Sequence, residues 1–399
     1  MDAIILGAGA SKAYSASPTN VSMPLATDFF KTFNKLPISE NGWVLIGKLL
    51  DYLRHYHNIG PTQFSVYEND IEQLHSEIQD RLIDAGKTDS IEDRLRCSGA
   101  YNELIFIFCA VLNEIQNGKT SQFHLNLVKA VKPEDVFISF NWDTLLDRAL
   151  SVNGKWRTDT GYHVTPKAIY RDEWLKPATG QNEGNLLLKL HGSTNWLTSY
   201  IIYDFRSNRM EFLHDSSPET FYVYESNVKP YACYDGRYMG GYQDFSMGYY
   251  PPNLPEKGKG VEEGHVILSC TPRISSNPKG TGSRDDLVSM PVIIPPVHSK
   301  SYDFFGELFR NLWGQAEETL TACDRIVLLG YSFPVTDYQS NDLFLKAFMK
   351  RNSIPEVIIV NPYPEQIKSK FSDQFGIPEK KIKVYKEYLT SEYNIDKLF

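Results

Sequence analysis

Short, largely apolar runs recur along the chain, and each is followed by a polar or glycine-containing segment. The runs lie at Ala3–Leu6, Val136–Phe140, Leu186–Leu190, Ile326–Leu329 and Val357–Val360, with a weaker one at Ile382–Tyr385. Short runs dominated by Val, Ile and Leu are typical of strands buried on both faces, as in a parallel sheet covered by helices. Helical spacing of apolar residues is found between them, at Trp142–Leu150, Tyr302–Thr321, Ser340–Arg351 and Glu365–Phe375. This alternation predicts an α/β fold with a Rossmann-like, doubly wound parallel sheet.

A long stretch with helical spacing interrupts the alternation after the first strand. Apolar positions recur at helical intervals in Trp43–Leu53 and in Ile91–Ile115. Ser90 stands where it can cap the second of these helices, and Asn117 with the glycine after it predicts where that helix ends. We therefore predict a large helical insertion at residues 31–130.

A second interruption, at residues 197–290, is rich in Gly, Pro and Tyr rather than in helix formers. Ile201–Tyr203 and Phe221–Tyr224 are predicted to be hairpin strands, and Gly-Gly and Pro-Pro pairs further on mark turns. We predict an irregular, Tyr-rich insertion here. The domain that carries the sheet is then discontinuous and consists of residues 1–30, 131–196 and 291–399.

The composition argues against a disordered chain and against a nucleic-acid-binding protein. Hydrophobic residues make up 42% of the 399, and 13% are aromatic, which is enough to form a buried core. Lys and Arg number 41 against 49 Asp and Glu, so the net charge is −8, and no long basic run is present. We therefore expect no direct binding of nucleic acid.

The sequence carries no signal for export or for a membrane. It begins with an acidic residue after Met1 and enters a strand pattern at once, and its longest apolar run, Leu104–Leu112, is too short to cross a bilayer. The five cysteines are scattered and form no Cys-x-x-Cys pair, so neither a structural zinc site nor a disulfide framework is predicted. We expect a cytoplasmic protein that binds no metal and no membrane.

The first strand runs into the segment Gly7-Ala8-Gly9-Ala10-Ser11. Small residues at such a turn let the backbone approach a pyrophosphate group, and a following helix presents free N–H groups to it. The third glycine of the usual dinucleotide fingerprint is absent, with Lys12 in its place, and no second strand ends in an acidic residue about 20 positions on. The alternative is a tight strand–turn–helix connection that binds no ligand.

Polar residues also follow the other strands. Asn141-Trp142-Asp143 comes after the second strand, where capping of the next helix is the alternative to a binding role. His191 comes after the third strand, and a lone histidine is more often a hydrogen-bonded structural residue than a catalyst. Gly330-Tyr331-Ser332 and Asn361 follow the later strands. Because ligands bind at the carboxyl ends of strands in an open parallel sheet, the shared position of these residues predicts a ligand site at that edge.

Together these segments resemble the sirtuin superfamily, in the same order and over nearly the whole chain. Gly7–Ser11 is similar to the family's first glycine-rich segment, and Asn141-Trp142-Asp143 is similar to its Asn-x-Asp. His191-Gly192 resembles its catalytic His-Gly. Gly330-Tyr331-Ser332 and Asn361 resemble the segments that hold the adenosine half of NAD. The resemblance implies an enzyme that uses NAD on a Rossmann-type sheet.

The departures from the family indicate one branch of it. Protein-deacylating sirtuins carry a zinc module with two Cys-x-x-Cys pairs, which this sequence lacks, and Pro24–Phe29 stands in place of their cofactor-binding loop without its arginine. The helical insertion and phrases such as Lys189–Ser193 resemble the sirtuin-like NAD hydrolases of bacterial antiphage defence, which deplete NAD in an infected cell. Members of about this size resemble the subunit that assembles with a HerA-type hexameric ATPase.

The resemblance implies a role for each residue in cleavage of the nicotinamide–ribose bond. Asn141 would position the ribose and the attacking water, His191 would be the base, and Asp143 would bind the carboxamide. The pyrophosphate would lie on the turn, at Gly7, Ala8, Gly9 and Ser11, and the adenosine side would lie at Gly330, Ser332 and Asn361. NAD is then the substrate, and no metal is required.

Two alternatives to NAD hydrolysis stay open. The same residues serve a protein deacylase, but that activity needs an acyl-lysine channel, which sirtuins build beside the zinc module. A non-catalytic module that senses NAD or ADP-ribose and gates a partner needs neither Asn141 nor His191.

The insertions also lead to an expectation about assembly. We expect a homo-oligomer that works within a larger complex, because tyrosine is favoured at interfaces and the second insertion concentrates it. The alternative is that both insertions pack on the sheet within one chain.

Overall fold

The computed structural model describes residues 1–36, 46–64, 66–88, 90–153, 156–171, 174–199, 201–204, 209–212, 221–225, 265–267, 273–275, 286–294, 306–334 and 337–399. The strands in these ranges are β1 (Asp2–Leu6), β2 (Val136–Ser139), β3 (Ala168–Tyr170), β4 (Trp174–Leu175), β5 (Leu186–Lys189), β6 (Gly192–Ser199), β7 (Ile201–Asp204), β8 (Arg209–Phe212), β9 (Tyr222–Tyr224), β10 (His265–Ile267), β11 (Arg273–Ser275), β12 (Asp286–Ile293), β13 (Arg325–Leu329), β14 (Glu356–Val360) and β15 (Ile382–Tyr385). The α-helices are α1 (Ala8–Ser11), α2 (Phe29–Phe33), α3 (Gly47–His57), α4 (Pro61–Phe64), α5 (Ile71–Thr88), α6 (Ile91–Gln116), α7 (Gln122–Ala130), α8 (Leu145–Val152), α9 (Gly306–Ala322), α10 (Tyr338–Lys350) and α11 (Glu365–Ser369).

The predicted parallel sheet forms. Its strands lie side by side in the order β15-β14-β13-β1-β2-β5, and every neighbouring pair is parallel. The chain builds outward from β1 through β2 to β5, then returns to the other side of β1 and builds outward again from β13 to β15. This is the order of a doubly wound, Rossmann-like sheet, so the predicted α/β fold is confirmed. The point where the order reverses lies between β1 and β13.

The strands of this sheet are apolar because helices cover them. Ala3–Leu6 is at most 1% exposed, and the central residues of β2, β13 and β14 are similarly buried. Helices α7, α8, α9 and α10 add Leu127, Leu146, Phe309 and Phe344 to the same core. Each strand begins and ends within one residue of its predicted limits.

The predicted helices between the strands also form, as α8, α9, α10 and α11, although their ends differ. α8 begins at Leu145 rather than at Trp142: Thr144 is its N-cap, and Oδ1 of Asp143 accepts the main-chain N–H of Leu145 in the turn before the helix. Residues 302–305 of the predicted Tyr302–Thr321 helix lie outside the described residues.

The region between β1 and β2 is helical and has an apolar core of its own. Phe29, Leu53, Ile78 and Ile107 are among its buried residues. The predicted cap of α6 is confirmed, since the Ser90 hydroxyl accepts the N–H of Asp93, and the helix ends at Gln116 with Asn117 as its C-cap, where the sequence predicts its end. The predicted helix at Trp43–Leu53 is described from residue 46 onward, as α3.

One of the described helices, α6, is long and apolar enough to cross a membrane, since an 18-residue stretch of it has a mean hydropathy of 1.4. In the folded chain 75% of that stretch is buried inside the protein. The predicted buried segment Leu104–Leu112 lies within it, and its described side chains are buried. This is the environment of a helix that belongs to a protein core.

The region after β5 contains further strands. A second sheet has the order β11-β12-β6-β9-β3-β4, and β10, β7 and β8 form a three-stranded antiparallel sheet. The predicted hairpin strand at Ile201–Tyr203 is confirmed as β7, which pairs with β8. Phe221–Tyr224 forms β9, but β9 pairs with β6 and β3 instead of forming a hairpin.

The second sheet begins before residue 197, the predicted start of the Tyr-rich insertion, because β3, β4 and most of β6 precede it. Gly192 at the start of β6 explains how the chain leaves the parallel sheet. Its φ is +78°, and a Cβ there would lie 2.0 Å from the carbonyl oxygen of Val292 on β12. A glycine therefore lets β6 turn away next to His191 and pack closely against β12.

Candidate functional site

The carboxyl ends of β1 and β13 meet through glycine backbones. Gly9 donates its N–H to the carbonyl of Gly330 at 3.0 Å, and a Cβ on Gly9 would lie 2.7 Å from the Cα of Gly330. Gly330 has a φ of +63°, and a Cβ on it would lie 2.5 Å from the nitrogen of Ala10. Close backbone packing therefore requires these glycines. Since the N–H groups of Gly7, Gly9 and Ala10 all donate within the protein, the role of this turn in holding pyrophosphate stays a prediction.

Beside this contact, three of the predicted site residues form one hydrogen-bonded group, which we call the polar cluster: Ser11, Asn141 and Asp143. The Ser11 hydroxyl donates to Oδ2 of Asp143 at 2.6 Å. Nδ2 of Asn141 donates to the Ser11 oxygen at 3.0 Å and to the Gly7 carbonyl at 2.9 Å. The three residues are at most 8% exposed. They meet because β1 and β2 are neighbours in the sheet, so the segments that follow these strands lie side by side.

Helix capping explains only part of this arrangement. Oδ1 of Asp143 accepts the N–H of Leu145, the first residue of α8, although the N-cap position itself is Thr144. Asn141 caps no helix, because its main-chain N–H donates to Ser139 and its amide nitrogen donates to the cluster and to Gly7. In the part of the chain that the structure describes, Oδ1 of Asn141 accepts no hydrogen bond and is available to a bound molecule.

A buried lysine supports the loop that carries Asn141 and Asp143. The Lys189 ammonium donates to the main-chain carbonyl of Asp143 and pairs with the carboxylate of Asp147 at 3.2 Å. Both charged side chains are only 1% exposed. The Tyr162 hydroxyl also donates to Asp147. Lys189 of β5, itself paired with Asp147 of α8, therefore holds the backbone at Asp143 in place.

A cavity of about 540 Å³, its open mouth included, adjoins the polar cluster. Ser11, Asn141 and Asp143 form one polar wall of it, and Glu72 at the start of α5 is a further polar residue of the lining. Most of the remaining wall is apolar, and it comes from Trp142, from the segment before and at the start of α2, and from α5 and α6. The side chains that define this wall are Met23, Leu25, Phe29, Phe108, Leu112 and Trp142. The helical region thus closes over the carboxyl edge of the sheet.

His191 lies beside this cavity and is not part of its lining. It is 3% exposed and packed among aromatic rings, with Trp142 stacked at 5.6 Å and Phe140 edge-on at 5.3 Å. Its Nδ1 lies 3.2 Å from the carbonyl oxygen of Phe140. Trp142 contacts both His191 and the cavity. The structure therefore brings Ser11, Asn141 and Asp143 together and places His191 one aromatic ring away from them.

One residue at the site, Asp337, was not predicted from the sequence. Its Oδ2 lies 3.5 Å from Nε2 of His191 and accepts the Tyr331 hydroxyl at 3.0 Å. Its side chain is completely buried, and it caps α10 by accepting the N–H of Ser340. The signal in the sequence was an Asp directly before a helical pattern. Because capping accounts for such an Asp, nothing in the pattern linked it to His191.

The residues predicted for the adenosine side lie at the ends of β13 and β14. Asn361 is 8% exposed, and its Oδ1 accepts the N–H of Tyr363 at 2.8 Å. Ser332 is exposed at the edge of the sheet, and Gly330 packs on the turn after β1. Their role in binding adenosine stays a prediction.

The described residues contain no group of three His, Cys, Asp or Glu side chains placed as metal ligands. Cys97, Cys109 and Cys323 are buried thiols. The expectation of a metal-free reaction stays a prediction.

Comparisons with known proteins gave matches of structure only. No family model matches the sequence, and no curated protein matches it. The chain is similar to a structure of Sir2Tm bound to a propionylated peptide, with a TM-score of 0.34 and 11% identity, covering 98% of this chain and 88% of that one. It is also similar to a Sir2–p53 peptide–NAD+ structure, with a TM-score of 0.32 and 12% identity, covering 98% and 88% of the two chains. A third similar structure comes from work on the structural basis of sirtuin substrate affinity, with a TM-score of 0.33 and 12% identity, covering 100% of this chain and 91% of that one.

Proposed function

We propose that this protein hydrolyses NAD at the nicotinamide–ribose bond and releases nicotinamide and ADP-ribose. The observation that carries the proposal is the polar cluster, where a hydroxyl, an amide and a carboxylate form one wall of a cavity whose remaining lining is apolar except for Glu72. The cluster lies at the carboxyl ends of β1 and β2, next to the point where the strand order reverses. Nicotinamide is a flat ring with apolar faces and a single carboxamide, and a cavity divided in this way suits it.

Asp143 is the residue we assign to the carboxamide. Its two oxygens accept one hydrogen bond each, from Ser11 and from Leu145. A carboxylate offers about four lone-pair positions, so capacity remains for the N–H of a carboxamide. The Ser11 hydroxyl and the N–H of Leu145 hold the carboxylate in place, and the bound ring is therefore oriented before its bond to ribose breaks.

Asn141 and His191 are assigned to the attack of water. Nicotinamide leaves as a neutral molecule from a cationic ring, and the ribose carbon is left with oxocarbenium character. Oδ1 of Asn141 accepts one hydrogen of the water that adds to this carbon, and the proton that the water loses goes to Nε2 of His191. Trp142 contacts His191 and also lines the cavity. This route therefore requires the indole ring to move so that the ribose reaches the imidazole.

The biological setting stays a prediction that rests on the sequence resemblance. In it, hydrolysis depletes NAD during antiphage defence, and the chain acts as a homo-oligomer paired with a HerA-type hexameric ATPase.

The test is incubation of the full chain with NAD, with and without an acetyl-lysine peptide, followed by chromatographic separation of the products. We expect nicotinamide and ADP-ribose in equal amounts without peptide. Nicotinamide release only with peptide, together with acetyl transfer to ADP-ribose, would replace this proposal with a deacylase. NAD binding without cleavage in either mixture would replace it with a sensor.

A further inference from the structure

Next to the proposed base lies a carboxylate that the reaction above does not use. We propose that Asp337 is a positioning residue for His191: it holds the imidazole ring in place and stabilises the imidazolium that forms when Nε2 takes a proton. The effect of Asp337 on the rate of NAD cleavage rests on the proposed function. The interaction itself belongs to the protein without NAD and is testable in that state.

The hydrogen bond of Nδ1 indicates the protonation state that this contact favours. Nδ1 of His191 lies 3.2 Å from the carbonyl oxygen of Phe140, and a carbonyl only accepts, so Nδ1 carries a hydrogen. In the neutral ring Nε2 then presents a lone pair, and Oδ2 of Asp337 lies 3.5 Å from it. A carboxylate facing a lone pair is unfavourable, whereas the same carboxylate facing a protonated Nε2 is attractive. The geometry therefore favours the protonated ring.

The surroundings of Asp337 favour its charged form. Oδ2 accepts the Tyr331 hydroxyl at 3.0 Å, and Oδ1 accepts the N–H of Ser340. Asp337 is the N-cap of α10, where the partial positive charge of a helix start stabilises an anion. The side chains of Asp337 and His191 are 0% and 4% exposed, so little water screens the attraction between them.

The other charged groups near the pair, within the part of the chain that the structure describes, do not replace Asp337. Burial lowers the pKa of Lys370, and the charge of Asp337 opposes that shift, so Lys370 is a cation within reach of the same carboxylate. Lys189 is close in sequence to His191 but pairs with Asp147. Of the rings that the structure describes, those of Phe140, Trp142 and Trp313 pack on His191, and none of the three carries a charge. Among the described residues, Asp337 is thus the anion in contact with the imidazole.

The direct test is NMR titration of the histidine ring signals in isotope-labelled protein without NAD, with His191→Gln to assign the signal. In Asp337→Asn we expect the pKa of His191 to fall by about one unit or more, a tenfold or greater loss of proton affinity. In Tyr331→Phe we expect the pKa of His191 to rise, because Oδ2 of Asp337 loses the Tyr331 donor and its charge then acts more strongly on the imidazolium. The aromatic ring that stacks on Phe140 at 4.3 Å is kept in this variant. An unchanged pKa in Tyr331→Phe and in any folded Asp337→Asn protein would overturn the proposal.

The pH dependence of NAD cleavage gives a second readout. A base must be unprotonated to act, so the rate rises as the pH passes through the pKa of His191. In Asp337→Asn this rise should move to lower pH, with a smaller plateau rate because the base is weaker. A purely structural role for Asp337 would lower the rate by one factor at all pH values.

If the NMR shift is seen and no protein cleaves NAD, the proposed function fails and the role of Asp337 stands. If NAD is cleaved and the NMR shift is absent, the proposed function stands and the role of Asp337 fails.

Discussion

Gln116, the last residue of α6, accepts hydrogen bonds from both the main-chain N–H and the hydroxyl of Thr144, at 2.7 and 3.0 Å. Thr144 follows directly on Asp143 of the polar cluster. Nε2 of Gln116 also donates to the hydroxyl of Thr194 on β6, at 3.2 Å. One buried side chain therefore joins the helical region, the loop of the candidate site and the second sheet.

This relationship predicts a specific loss of stability in Gln116→Ala. The substitution leaves the buried N–H of Thr144 without its acceptor, and the free energy of unfolding should fall by about 1–3 kcal/mol. Urea denaturation followed by circular dichroism measures it. The matched control is Gln122→Ala on α7, where an exposed side chain bonds to Asn126 on the same helix and the change should stay below about 0.5 kcal/mol. Equal losses in the two variants would contradict this account of Gln116.

The contact between β1 and β13 predicts that Gly330→Ala is severely destabilising. The new Cβ would meet the nitrogen of Ala10 at 2.5 Å, and φ is +63°. We expect a loss of at least about 2 kcal/mol in unfolding free energy, or failure to fold. Gly314→Ala on α9 is the control, since a Cβ there meets nothing within 4 Å, and it should be neutral or stabilising by up to about 1 kcal/mol. A Gly330→Ala protein as stable as wild type would disprove the close packing.

Two buried histidines predict sensitivity to acid. Burial lowers the pKa of His75 and of His124 to about 3, against about 6.5 in an unfolded chain. Above pH 6.5 both are neutral in either state, so their effect on stability is absent there. Below it the unfolded chain binds protons that the folded chain excludes, and stability falls progressively toward pH 3. One such histidine accounts for a loss of about 2 kcal/mol between pH 7 and pH 5.

His75→Phe separates the contribution of one histidine. Neither ring nitrogen of His75 has a hydrogen-bond partner among the described residues, and its ring packs edge-on against Tyr101 at 4.6 Å, so phenylalanine fits its apolar surroundings. Urea denaturation at pH 7 and at pH 5 should show a stability difference smaller than that of wild type by about 2 kcal/mol. His55→Phe, at an exposed position of α3, controls for the added ring. The account is wrong if wild type and His75→Phe lose the same stability.

The parallel sheet was predictable because its strands are buried on both faces. Runs such as Ile326–Leu329 and Val357–Val360 are apolar throughout, and they stop where the strand leaves the core. The start of α8 was less predictable, since Asp143 accepts the N–H of Leu145 in a turn before the helix, and the spacing of apolar residues does not indicate that contact. The pairing of β9 with β6 and β3 joins segments distant in sequence, and local alternation does not encode that choice.

The candidate site was predictable to the same extent as the sheet. Ser11, Asn141 and Asp143 follow neighbouring parallel strands, so their proximity follows from the strand order. The aromatic surroundings of His191 and its contact with Asp337 depend on how α10 and the Trp142 side chain pack. Those contacts are tertiary, and no spacing in the sequence indicates them.

The measurement that tests the central claim most directly is the rate of nicotinamide release from NAD by wild type, Asn141→Ala and His191→Ala, with thermal unfolding of each protein. Asn141 and His191 follow strand ends, but His191 is also packed among aromatic rings, so its truncation costs some stability and the thermal unfolding shows whether the variant stays folded. We predict at least about a 100-fold loss of rate in both variants with folding retained, and an unchanged rate in Asn352→Ala at an exposed position. Asn141→Ala and His191→Ala proteins that unfold like wild type and still release nicotinamide at near wild-type rates would contradict the account.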